Sequence, residues 1–155
     1  MLIEPTYTKK QYWSTILTAG FSIGILSSVV YFILYWFFYV QQSFVFSLIY
    51  LIPLLGSTVT TIYFKQKFVW NKFSYGAAFS MSFFSGILSA IILSTALYFA
   101  YNSILESRID LFNNINNETL QRFMSPTAVS LSMFLINIIL SLLYSLIFAI
   151  FAKRK

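Results

Sequence analysis

The chain has 155 residues, enough for one domain, and 59% of them are hydrophobic, 21% aromatic and only 9% charged, a balance wrong for a water-soluble core. It contains no cysteine and no histidine, so disulfides, thiolate nucleophiles, lipoprotein acylation and imidazole-ligated zinc or haem are excluded together. The net charge of +6 does not indicate a nucleic-acid binder, because the basic residues flank long uncharged stretches instead of covering one soluble face.

No charge lies between Gln11 and Phe64, between Phe73 and Leu105, or between Phe123 and Ala152. These stretches predict an all-α fold, an integral membrane four-helix bundle forming a single domain over 1–155. Span one is expected over 14–39. Its apolar run is longer than a signal-peptide core and lacks a small-x-small cleavage site, so it is expected to be retained. Gly20, Gly24 and Ser28 recur every fourth position along it, the spacing that lets two helix backbones approach closely in lipid.

Span two is expected over 43–64. A single helix from Ser14 to Phe64 would run about 76 Å, beyond any bilayer, so the chain must reverse at Gln41 and Gln42 in a tight hairpin. Pro53 removes the hydrogen bond to the carbonyl of Ile49 and predicts a kink. Gly56, Ser57, Thr58, Thr60 and Thr61 follow it, and a freed carbonyl beside hydroxyls can hold water or a cation, as in the broken helices of transporters. The plainer expectation is a proline kink repaired by a neighbouring helix.

Span three is expected over 74–101, where Ala78, Ser82, Gly86, Ala90 and Ser94 form the longest small-residue stripe and predict the centre of the bundle. Its Gly86-Ile87-Leu88-Ser89 repeats Gly24-Ile25-Leu26-Ser27 of span one. The outer loop, 102–126, is the longest polar stretch, with Asn113, Asn114, Asn116 and Asn117 favouring a turn. Glu118 to Met124 is expected as a short interfacial helix capped by Asn117. Ser125 and Pro126 read as the N-cap and first position of the last helix. Asn117-Glu118-Thr119 is a glycosylation sequon, relevant only in a pathway that glycosylates.

Span four is expected over 127–151, with a stripe of Asn137, Ser141, Ser145 and Ala149. Asn137 is the single carboxamide deep in a span, either structural glue or a site residue. No Asp, Glu, Lys, Arg or His lies inside any span, which argues against a proton-coupled pump and against intramembrane acid–base or nucleophilic catalysis. The remaining carboxylates, Glu106, Asp110 and Glu118, read as solvated charge.

Orientation follows from the basic residues. Lys9, Lys10, Lys65, Lys67, Lys72, Lys153, Arg154 and Lys155 fall on one side and Arg108 and Arg122 on the other. With four spans, both termini and the Lys65–Lys72 segment are expected in the cytoplasm. Aromatic belts agree: Tyr12, Trp13, Tyr63, Trp70 and Tyr75 mark one interface and Tyr35, Trp36, Tyr39, Tyr98 and Tyr101 the other.

The segment Phe73-Ser74-Tyr75-Gly76-Ala77-Ala78-Phe79, after a lysine-rich turn and leading into the small-residue helix, resembles a short bacterial membrane family, domain of unknown function 4199. Length, four spans, an outer loop ending in a proline and a basic tail extend the likeness over nearly the whole chain. The resemblance implies a bacterial inner-membrane location, brings no established activity and supplies no functional residues.

The functional expectation is a non-enzymatic accessory or scaffolding subunit without a cofactor or metal, held in the lipid bilayer. Its small-residue faces pack within the chain, against another copy or against a partner membrane helix. The alternative is a small oligomeric channel or transporter using Pro53, Thr60, Thr61 and Asn137 as its polar lining, with Gly20, Gly24 and Gly86 as packing positions.

Overall fold

The computed structural model describes residues 7–37, 48–69, 73–106 and 125–152. They form four helices: α1 (Lys9–Phe37), α2 (Leu51–Phe68, entered through a 3₁₀ turn at Leu48–Tyr50), α3 (Tyr75–Glu106) and α4 (Pro126–Ala152). No strand occurs among the described residues. The chain is an all-α helical bundle. The expected hairpin at Gln41–Gln42, the asparagine turn, the short helix at Glu118–Met124 and its Asn117 cap lie outside the described residues.

Three of the four helices start where a side chain satisfies a free N–H group, while α2 follows its 3₁₀ turn without a side-chain cap. In α1 the Thr8 Oγ1 accepts from the Gln11 N–H at 3.2 Å and the Gln11 Oε1 accepts from the Thr8 N–H at 2.9 Å, a reciprocal capping box. Tyr7, just outside the cap, stacks on Tyr12 with ring centroids 5.9 Å apart, the hydrophobic staple that fixes the entry angle. This is why α1 begins at Lys9, five residues before the expected boundary. Ser74 caps α3 through the Ala77 N–H at 3.2 Å. Ser125 caps α4 through the Ala128 N–H at 3.2 Å, with Pro126 in the first helical position, as the sequence predicts.

Two boundaries move the other way. The α3 helix runs on to Glu106, so 102–106 of the expected outer loop is helical. The α2 helix continues past Phe64 to Phe68 and carries Lys65 and Lys67 in its last turn, where cations complement the negative end of the helix dipole.

The helices alternate in direction. At one end of the bundle Ile16, Phe64, Phe73, Ala78, Met81, Ala149 and Ala152 share a core with Tyr7 and Tyr12 around it. At the other end Ile49, Leu93 and Leu97 pack with Tyr31, Leu34 and Met133. The most extensive helix contacts are those of α3 with α4 and then with α1, while α2 touches all three other helices. The expected central position of the third helix is what the packing shows.

The surface is far more apolar than that of a soluble protein, and small polar residues are buried beside the apolar core. Phe99, Phe151 and Val59 are 74%, 76% and 65% exposed, and Leu17, Phe21, Ile139 and Ile150 are also on the surface. Conversely Ser27, Ser82, Ser85, Ser89, Asn137 and Ser145 are buried. Three helices, over Lys9–Leu34, Tyr75–Tyr101 and Pro126–Ala152, are long and apolar enough to cross a membrane. The described part of α2 has 18 residues, about 27 Å at 1.5 Å per residue, and ends in Lys65-Gln66-Lys67-Phe68.

Phe64 is fully buried at the hub of the aromatic end, with rings of Tyr7, Tyr12, Phe68 and Phe73 at 5.1, 5.8, 5.1 and 6.0 Å. Truncation there leaves a cavity that a lattice of rings cannot refill. Phe64→Ala is expected to cost about 3–5 kcal/mol, read by thermal unfolding in mild detergent. The adjacent, half-exposed Tyr63 serves as control, and Tyr63→Ala should shift the transition far less.

Candidate functional site: the small-residue and hydroxyl seams

The residues singled out in the sequence fall into two groups. Gly20 and Gly24 of α1 face α3: a methyl group at Gly20 would stand 2.8 Å from the Leu88 Cβ and 3.0 Å from the Ser85 carbonyl oxygen, and one at Gly24 would stand 2.7 Å from the Ile92 Cβ. Gly86 of α3 faces α4, where a methyl group would stand 2.6 Å from the Ser141 Cβ. Real Cβ contacts are wider than this, so each glycine marks a place where two backbones approach as closely as side-chain volume allows. The repeated Gly-Ile-Leu-Ser segments therefore do different work, since Gly24 meets α3 and Gly86 meets α4.

One seam was not read from the sequence. Gly56 of α2 closes on α1, with a hypothetical methyl 2.5 Å from the Ile23 Cγ1. Gly56 has only Thr60 at the fourfold spacing, with Ile52 and Phe64 on either side of the pair, too short a run to read as a stripe.

The second group is polar. Pro53 is buried in the first turn of α2, three residues after the 3₁₀ turn. The described backbone changes from 3₁₀ to α geometry just ahead of it, so Pro53 stands in the first turn of the described α-helix, where a proline's missing N–H costs least. The hydroxyls that follow do not converge on the Ile49 carbonyl. Ser57 and Thr58 donate to the Leu54 carbonyl at 3.1 and 2.7 Å, Thr60 to Gly56 at 2.8 Å and Thr61 to Ser57 at 2.9 Å. Asn137 is buried, and its Nδ2 donates to the Met133 carbonyl one turn back at 2.8 Å. Ser28, Ser85, Ser89 and Ser145 likewise donate to their own helix. Back-bonding of this kind satisfies a hydroxyl where no water reaches it, and uses up its proton. The buried Ser27 Oγ and Ser82 Oγ have no hydrogen-bond partner among the described residues.

The hydrogen bonds seen between the described helices include a set at each end of the bundle. The Tyr12 hydroxyl of α1 contacts the Ala77 carbonyl at 2.8 Å and the Ser80 hydroxyl at 2.7 Å on α3. Lys65 Nζ of α2 donates to the Ala152 carbonyl at 2.7 Å, capping the last turn of α4 with a cation. At the opposite end the Tyr50 hydroxyl donates to the Met133 Sδ at 3.1 Å.

No family model, curated protein or solved structure matches the chain.

Its seams must therefore be interpreted on geometry alone. Pro53, Thr60, Thr61 and Asn137 are buried or half-buried, but the described hydrogen bonds of Thr60, Thr61 and Asn137 run along their own helices. Among the described residues no group of three or more His, Cys, Asp or Glu side chains comes together. The aromatic hub around Phe64 fills the bundle axis at the Lys65 end. What the arrangement does is hold helices at short distances.

Gly24→Val is expected to destabilise the bundle by about 1–3 kcal/mol through overpacking against Ile92. Gly76→Ala, with open space around the added methyl, should be neutral or slightly stabilising. Asn137→Leu and Thr60→Val remove hydrogen bonds made within one helix, and each should change stability by no more than about 1 kcal/mol. Reversible unfolding in mixed micelles checks all four; a loss of several kcal/mol in Asn137→Leu would mean that its carboxamide bridges helices.

Proposed function

We propose that this chain is a multi-pass protein of the bacterial inner membrane and a member of the domain of unknown function 4199 family. In this reading all four helices cross the bilayer, and both termini and the Lys65–Lys72 segment face the cytoplasm. Its role is that of a non-enzymatic accessory or scaffolding subunit, which presents a rigid apolar surface to a second copy or a partner membrane helix and binds no nucleic acid.

The observation that carries the reading is the use made of the interior. Its glycines are filled by neighbouring helices and most of its hydroxyl protons are bonded within single helices. A protein whose polar interior is spent on packing has its outer surface left for interaction, and that surface is broad and apolar. The grouping of Lys9, Lys10, Lys65 and Lys67 around the aromatic end supports the orientation. Those lysines stand near Tyr12, Trp13, Tyr63 and Tyr75, while Tyr98 and Tyr101 sit at the far end of α3.

Two experiments test the proposal. Because the chain has no cysteine, single cysteines replacing Lys67 and Asn114 report topology: the first should react with an impermeant maleimide only after permeabilisation, the second in intact cells. Crosslinking of the tagged chain in native membranes, with mass spectrometry of the products, should give a stoichiometric partner or homo-oligomer. Recovery of a lone monomer at every crosslinker length would contradict the scaffold role.

A further inference from the structure

On the outer side of α1, at its amino end, Lys9, Lys10, Trp13, Ser14, Leu17 and Thr18 line an open groove of about 500 Å³. From its chemistry we infer that this groove holds an anionic phospholipid of the cytoplasmic leaflet; the inference rests on the membrane reading above. The groove exists because Ser14 and Thr18 are small and stand one turn apart, both exposed, between the larger Trp13 and Leu17. Thr18 returns its proton to the Ser14 carbonyl at 2.9 Å, so what the two small side chains offer is room beside Trp13 and Leu17 and not a free hydroxyl donor.

The lysines at its mouth differ from the other described ones. Lys65 is committed to the Ala152 carbonyl, and Lys67 donates to the Tyr63 hydroxyl at 2.7 Å and lies over the Tyr63 and Phe68 rings at 5.1 and 5.3 Å. Lys9 and Lys10 have no hydrogen-bond partner among the described residues and border the groove side by side. The positive end of the α1 dipole reinforces them. Trp13, tilted over Phe84 at 5.5 Å between centroids, sits at the depth where an indole prefers the headgroup boundary. Beyond it Leu17, Phe21 and Ile25 are exposed and continue as an apolar track for an acyl chain. Two cations, then a gap beside small side chains, then an apolar track are met in the same order by the anionic headgroup, the glycerol esters and an acyl chain of a phospholipid with a net negative charge. A zwitterionic headgroup would need an acceptor for its own cation, and among the described residues no carboxylate lines the groove.

The test is lipid retention by the full chain. The protein is reconstituted with equal parts phosphatidylglycerol and phosphatidylcholine, re-extracted in mild detergent and examined by native mass spectrometry. Phosphatidylglycerol should be retained in preference, and Lys9→Gln with Lys10→Gln should lower that retention by about fivefold for each lysine removed. Lys67→Gln with Lys72→Gln, which removes the same charge, should leave it unchanged. Equal retention of both lipids, loss in both double variants alike, or a second copy of the chain crosslinking through Ser14→Cys in place of lipid would overturn the assignment. Release of the chain from membranes by alkaline carbonate would sink the membrane reading itself, so the two failures are distinguishable.

Discussion

Helices in lipid gain nothing from hiding apolar surface from one another, since the tails around them are as apolar as leucine. Association has to come from dispersion between closely placed backbones, and closeness needs residues without bulk. Everything else in this bundle follows from that constraint. Gly20 and Gly24 bring α1 onto Leu88 and Ile92, Gly56 brings α2 onto Ile23, and Gly86 lets Ser141 of α4 enter the surface of α3. Because α3 supplies one side of the α1 and α4 seams, it becomes the axis on which the others are arranged.

A serine or threonine at a seam brings a polar group with small volume, and in a dry interior that group must be bonded. The chain meets most of the requirement locally: Thr60, Thr61, Ser85, Ser89 and Ser145 return their protons to carbonyls one turn back, with Ser27 and Ser82 the exceptions among the described residues. Local satisfaction leaves the seam free to be close without requiring a matching partner across it. Specific pairing between helices is moved to the ends, where Tyr12 reaches Ala77 and Ser80 and Lys65 reaches the end of α4. Those contacts, with the rings around Phe64, set which helix faces which.

Much of this was legible in the sequence. Uncharged stretches gave the helices, and fourfold spacing of small residues picked out Gly20, Gly24, Gly86 and Ser141 because helical geometry places such positions on one face. The Ser125-Pro126 start of α4 was legible because its chemistry is local. What was not legible is pairing. The identical Gly-Ile-Leu-Ser segments meet different neighbours, and nothing in either states which. Gly56 carries no stripe. Phe64 and Phe73 look like the many lipid-facing phenylalanines until the fold brings Tyr7 and Tyr12 around them. The hydroxyls after Pro53 read equally well as a lining or as back-bonded packing, a choice made by side-chain rotamers. The Thr8-x-x-Gln11 box was present but lay outside the apolar run that defined the span.

The account stands on close approach at the seams, and the α3–α4 seam is its most extensive helix contact. A double-mutant cycle on Gly86→Ala and Ser141→Gly, followed by reversible unfolding in mixed micelles, addresses it directly. Adding a methyl at Gly86 should destabilise the bundle, and removing the Ser141 side chain that it meets should recover part of the loss, with a coupling of about 1 kcal/mol or more. Effects that simply add, within about 0.3–0.5 kcal/mol, would mean that α3 and α4 do not meet at these residues and would contradict the packing on which the proposed role rests.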